Sequence, residues 1–216
     1  MPQRAQLILE PRKSPVQARS AVTVAAILEA TIQVLLSVGK ERLTTTRVAM
    51  RAGVSVGTLY QYFPNKRALL QAVLKHHLDE VTNAIERVCS EQKGKTLEQM
   101  ATALINAFLN AKMRNAKTSV ALYSVSSDVD GAKMAHQMGL RANKAIVQVL
   151  ASAREPLTKD PRLVAAMLQG ALGGVSRTLL ESDAPEKQFD ALRDELVFVV
   201  KSYLQASASE RLATSV

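Results

Sequence analysis

The chain has 216 residues, 47% of them apolar, enough for one large or two small folded domains with a sizeable core. Its net charge is +9, and the excess sits at one end: residues 1–75 hold eleven Lys and Arg against three acids, while the remainder is nearly balanced. A basic module beside a neutral one is the electrostatic footprint of a nucleic-acid reader with a separate partner domain. A single cysteine, Cys89, excludes an internal disulfide and a four-cysteine zinc site, which fits a reducing cytoplasm. No apolar run approaches the ~20 residues of a membrane span, so none is expected. The start, MPQRAQLILEPRKSP, has too short an apolar stretch for a secretion signal.

In chain order, residues 1–19 carry Pro2, Pro11 and Pro15 among scattered bases and read as a disordered arm. It is either an inert tail or a source of extra phosphate or minor-groove contacts. The first helix is expected over 21–38, ending at Gly39. Thr44, Thr45 and Thr46 supply hydroxyls able to cap the second helix. Ala49 permits a close crossing, and Gly53 stands where that helix must stop in a left-handed conformation. Ser55 caps a third helix beginning at Val56. Leu59 and Phe63, four apart, share the face that anchors it to the core. The opposite face carries Val56, Gly57, Thr58, Tyr60, Gln61 and Tyr62. Pro64 ends the helix, and Asn65 caps the next, which starts at Lys66.

This is the form of a helix-turn-helix. A short helix fits the major groove and meets base edges with its first residues, here Val56, Gly57 and Thr58. Tyr60, Tyr62 and Lys66 have the reach and donors to hold phosphates. Arg47, with Thr44, Thr45, Thr46 and Ser55, completes the expected DNA-binding set.

At these residues the chain resembles the tetracycline-repressor (TetR) family of bacterial transcription factors. The opening Thr44, Thr45 and Ala49 match its pattern. So do Ala52, Gly53, Val54, Ser55, Gly57, Thr58, Leu59, Tyr60, Tyr62, Phe63, Lys66, Leu69 and Leu70. Ile27, Ala30, Val34 and Gly39 keep the family's spacing, and Leu35 replaces its usual Phe. The resemblance covers residues 20 to 75. It implies an all-α fold of about nine helices: an N-terminal three-helix DNA-binding domain and a C-terminal helical domain for ligand binding and dimerisation. The corresponding division is 1–19 arm, 20–66 reader, 67–206 second domain and 207–216 loose tail.

Beyond the reader the pattern stays helical. The fourth helix is expected from Lys66 to about Val88, the fifth over 97–111 behind a Thr96 cap paired with Gln99, and the sixth over 118–126. The seventh runs over 130–153 behind Asp128 or Asp130. The eighth begins at Pro161 after Asp160 and runs to about Leu180, and the ninth spans 186–206. Inside the eighth, GALGGVS places Gly170, Gly173 and Gly174, each costing roughly 1 kcal/mol against Ala in a helix interior. Close helix–helix approach offsets such a cost. It arises either within the chain or across a two-fold homodimer, as the resemblance implies, with Leu192, Leu196, Val199, Val200 and Tyr203 of the ninth helix completing the interface.

Met100, Phe108, Met113, Tyr123, Met134, Met138 and Met167 are candidates to line an adaptable apolar pocket for a small effector; each is equally suited to plain core. Enzyme chemistry has almost no residue support, since there is no P-loop, no G-x-S-x-G and no histidine cluster. His76 and His77 are adjacent on a helix and point apart, so no metal is expected, and no cofactor. The reading is a homodimeric repressor released from a palindromic operator in double-stranded DNA by a mainly apolar small molecule. An activator or an effector-independent DNA binder is the alternative, and an enzyme or small-molecule carrier a more distant one.

Overall fold

The computed structural model describes residues 18–208. Among these the chain is all-α: α1 (Ala18–Arg42), α2 (Thr45–Ala52), α3 (Val56–Tyr62), α4 (Lys66–Glu91), α5 (Leu97–Met113), α6 (Ala116–Ser126), α7 (Gly131–Ala151), α8 (Pro161–Glu181) and α9 (Pro185–Gln205). The bulk of the N-terminal arm and the last eight residues lie outside the described part.

Local chemistry places most boundaries. Gly39, at φ 74°, interrupts α1 where the helix was expected to end. Gly53 takes the left-handed conformation (φ 68°, ψ 29°) and turns its N–H back to the Ala49 and Met50 carbonyls, closing α2. Asn65 accepts from the Ala68 amide at 2.8 Å and opens α4. Thr96 and Gln99 form the reciprocal capping box of α5, and Asp160 accepts from the Arg162 amide ahead of α8. The start of α7 departs from the expected cap. Asp130 has φ 57°, and its carboxylate takes the Arg67 guanidinium at 3.1 Å.

The chain forms two compact units. One runs through Leu78 and includes Lys117–Ala135; the other comprises Asp79–Ala116 and the chain from His136. The expected border after Lys66 therefore moves: the first three turns of α4, together with α6, belong with the reader. Periodicity made α4 visible as one helix but carried no information on where its neighbours change.

In the first unit Ile27, Ala30, Val34 and Leu35 of α1 pack with Val48, Ala49, Leu59 and Phe63, and with Leu69, Leu70, Val73 and Leu74 of α4. Leu122, Val125, Val129 and Met134 complete this core. Buried His77 shares a 3.1 Å hydrogen bond through Nε2 with Ser119 of α6, whereas His76 is exposed.

The expectation that no segment is long and apolar enough for a membrane needs correction. Ser20–Arg42 and Pro161–Glu181 both reach that length and composition. Ala, Thr and Gly break up the visible apolar run without making it polar. In α1, Ile27, Ala30, Val34 and Leu35 line the first unit's core.

In the second unit α5 packs on α8 and α9, and α8 on α9. Cys89 is buried in this core, and burial, reinforced by nearby Glu86, pushes its thiol up to about 11.

Candidate nucleic-acid interface

The reader is assembled by caps. Thr44 accepts from the Arg47 amide at 3.3 Å and fixes the start of α2. Ser55 accepts from the Thr58 amide at 2.9 Å, and its Oγ also pairs with Thr58 Oγ1 at 2.8 Å. Helix α3 is only two turns long, too short to be stable alone. It is held by Leu59, fully buried, and by Phe63 at its C-terminal cap.

Around this scaffold the twelve expected residues take different positions. Thr46, Arg47, Gly57, Tyr60 and Gln61 are exposed on α2 and α3. Tyr60 shares a 3.0 Å hydroxyl bond with Thr45, so the phenol is fixed in direction while 41% of the residue remains exposed. Val56 and Tyr62 are half-buried against the core, not on the open face. Tyr62 Oη accepts from Ser20 Oγ of α1 at 3.2 Å. The expected outward face was too broad because seven residues make two turns, and positions next to the Leu59–Phe63 stripe tilt inward.

Two cations are tethered. Lys66 Nζ donates to the Lys40 carbonyl at 2.7 Å, and Arg47 Nη1 to the Arg42 carbonyl at 3.1 Å. Both acceptors lie at the C-terminal end of α1, where unsatisfied carbonyls attract positive charge. Lys66 is thus not a free phosphate anchor, although its ammonium has two donors beyond this bond. Met50, 78% exposed, and Arg51, whose Nε donates to Gln33 at 2.6 Å, lie outside the expected set. Both stand on the outer side of α2, and the signal was there, since Val48 and Ala49 define the inner side.

The seven candidate effector residues are distributed. Met100 is buried in the second unit's core, with Phe108 and Met113 packed against it. Met138 lies under Arg141, whose Nη1 approaches its sulfur at 3.5 Å. Arg141 in turn is gripped by Glu86, with Asp79 and Asn83 assisting, an array that holds its charge more firmly than usual. Met167 is exposed, while Met134 is a core residue and Tyr123 an exposed residue of the first unit. A groove of about 490 Å³ opens between the end of α4 and the start of α5, lined by Gln92, Lys95, Glu98, Gln99, Thr102 and Ala103. Five of its six lining residues have polar side chains, and none of the seven is among them. Met and aromatic residues at helical spacing read alike in core, surface and cavity.

Gly170, Gly173 and Gly174 are exposed on α8, and among the described residues a β-carbon at any of them would meet no atom within 4 Å outside its own helical backbone. Close packing inside the chain therefore does not explain them. The expected α9 stripe needs correction: Leu196 and Val200 are buried in their own unit, and Leu192 and Tyr203 are half-buried against it. Among the α9 candidates Val199 is exposed, beside Phe198, which is 67% exposed. On α8, Leu163 and Met167 continue the glycine face at spacings of seven and three residues before Gly170. The apolar pattern of α9 fitted one stripe, and that stripe serves the chain's own core.

Residues 27–73 match the family model for bacterial regulatory proteins of the tetR family, and residues 96–204 match the tetracyclin repressor-like C-terminal domain. The nucleoid occlusion factor SlmA of Vibrio atlanticus is 27% identical over 176 residues, covering 76% of this chain and 89% of that protein. SlmA of Photobacterium profundum is 34% identical over 68 residues, and there the match spans only 35% of the relative. Among solved structures, a candidate TetR-family regulator from Mesorhizobium loti superposes with a TM-score of 0.74 at 20% identity, covering 89% of this chain and all of that one. SmeT, the repressor of the Stenotrophomonas maltophilia multidrug efflux pump SmeDEF, gives 0.62 at 20% identity, with 88% and 94% covered. At such identities the structural likeness speaks for the fold alone.

Proposed function

Since this chain belongs to the TetR family and is a DNA-binding transcriptional regulator rather than an enzyme, we propose that it acts as a homodimeric repressor on a palindromic operator and is released by a small, mainly apolar effector. The observation that carries the DNA contact is the capped α3. Its inner side is locked by Leu59 and Phe63, and Gly57, Tyr60 and Gln61 are left open beside exposed Thr46 and Arg47 of α2. Gly57 lets backbone approach base edges, and the Gln61 amide suits the adenine edge. Tyr60, with Thr45 orienting its hydroxyl, suits a phosphate oxygen.

Dimerisation is supported by the open glycine face. Leu163, Met167, Gly170 and Gly174 share one exposed face of α8, and Phe198 and Val199 are exposed on α9; these are the apolar and small residues a two-fold partner would cover. A dimer presents two α3 helices, and palindromic half-sites follow from that symmetry.

A second reading is an effector-independent DNA binder. It is favoured by the scatter of the seven effector candidates and by relatives named as nucleoid occlusion factors. Selection of genomic fragments bound by the purified protein, with and without extracts of small metabolites, tests both. The repressor reading expects a few palindromic sites near promoters, lost in the presence of one extract fraction. Many dispersed sites, indifferent to every fraction, support the second reading. Binding that shows no sequence preference at roughly 150–200 mM salt rejects both.

A further inference from the structure

The turn between α6 and α7 holds the reader's own cations. Lys40 Nζ donates to Asp128 at 3.3 Å and to the Ser124 carbonyl at 3.4 Å, and Arg67 Nη2 donates to Asp130 at 3.1 Å. Between the two aspartates Val129 is fully buried in the first unit's core. The same Lys40 supplies the carbonyl that tethers Lys66. The acidic turn thus docks on the end of α1 and the start of α4, immediately after the DNA-reading helix, by one apolar plug and two ion pairs.

The grip is strained and incomplete. Asp130 has φ 57°, a left-handed conformation uncommon for a residue other than glycine. Gly131 has no room for a side chain, because a β-carbon there would lie 2.6 Å from Ser126 Cβ. Arg67 meets Asp130 through one terminal nitrogen, and its Nε is buried with no hydrogen-bond partner among the described residues. A forked pair would satisfy both nitrogens and bind more strongly. Both ion pairs are also partly exposed, where such pairs are weak and readily exchanged.

We propose that this turn is a built-in competitor of DNA: Asp128 and Asp130 occupy Lys40 and Arg67, two cations that duplex phosphates engage when the turn lets go. The proposal rests on the first unit being the DNA reader. While the turn is docked, two positive charges at the end of α1 and the start of α4 are neutralised from within. When it is released they add to the phosphate contacts. Phosphate contacts carry no sequence information, so the device sets affinity for all DNA and leaves the preferred sequence unchanged.

The test is the salt dependence of binding between full-length protein and a fluorescent duplex of random sequence. Each phosphate contact contributes a slope of about 0.9 in log K against log salt. The double variant Asp128→Asn/Asp130→Asn should steepen the slope by up to about two such contacts and tighten binding at low salt. Lys40→Gln/Arg67→Gln should leave the wild-type slope nearly unchanged, yet abolish the gain when combined with the turn variants. Asp190→Asn/Asp194→Asn, which raises net charge equally but frees Arg193 of α9, should give no comparable steepening. An unchanged slope in the turn variant, weaker binding, or equal steepening in the α9 control overturns the proposal. If the turn variant does not fold, Lys40→Gln/Arg67→Gln still decides: a slope reduced by two contacts shows that these cations already face DNA. Wild-type protein that binds no duplex at low salt removes the reader assignment itself, a different failure.

Discussion

At the scale of single residues, side chains in this protein commonly do two jobs, and substitutions separate them. Ser55 caps α3 and stands at its exposed end. Ser55→Ala should lower stability by about 1 kcal/mol, read as a denaturant midpoint, whereas Tyr60→Phe should leave stability intact and weaken binding to every duplex. A Tyr60→Phe protein that binds random and operator DNA as wild type does would remove the phosphate role of that hydroxyl. Cys89 has one job. Its thiol is held neutral up to about 11 by burial, and the thiolate is the reactive form. Iodoacetamide at pH 8 should leave it unmodified in folded protein and label it in urea. The folded state favours the protonated thiol, so that contribution is intact below the ordinary thiol value and fades as pH rises toward 11. Rapid labelling at pH 8 without urea would revive a redox role. Caps such as Ser55, Thr96 and Asp160 were legible in the sequence because their chemistry is local. The tether of Lys66 to Lys40 was not, since it joins residues 26 positions apart.

At the scale of helices, periodicity found every element but not every partner. In α3 the spacing of Leu59 and Phe63 identified the buried side, because nothing else in so short a helix competes for it. In α9 the same reasoning found Leu192, Leu196, Val200 and Tyr203, which the structure turns toward α5 and α8 rather than outward. A helix with one strong stripe must first satisfy its own domain, and a second face is marked only by isolated residues such as Phe198. Met134 shows the same limit, since a methionine on α7 reads alike whether it lines a cavity or fills a core. Its side chain is buried among Leu122, Val125 and Val129. Met134→Trp should therefore overpack the first unit and cost about 1–3 kcal/mol in thermal or denaturant unfolding. A stable Met134→Trp variant with unaltered melting and lost effector response would return this residue to an effector site.

At the scale of the whole molecule, the open face of α8 and α9 makes a demand one chain cannot meet. Three glycines in α8 sacrifice roughly 3 kcal/mol of helix propensity with no close contact among the described residues in return. Beside them Leu163, Met167, Phe198 and Val199 leave apolar area in water. A partner related by a two-fold axis offsets both terms, since small residues let helices approach and the apolar side chains then lose their water. The open space around Gly173 and Gly174 makes the experiment clean: the β-carbon of Gly173→Leu or Gly174→Leu meets nothing within 4 Å among the described residues outside its own helical backbone, so the folded unit should retain its helicity and melting behaviour while the partner is pushed away. Sedimentation at low micromolar concentration should show monomers. Operator affinity should fall far more than affinity for random duplex, because only the dimer holds two recognition helices against half-sites ~34 Å apart. Phe198→Ser should act in the same direction through lost burial. If both glycine variants and Phe198→Ser stay dimeric at that concentration, the interface lies elsewhere, and the glycines of α8 need another explanation.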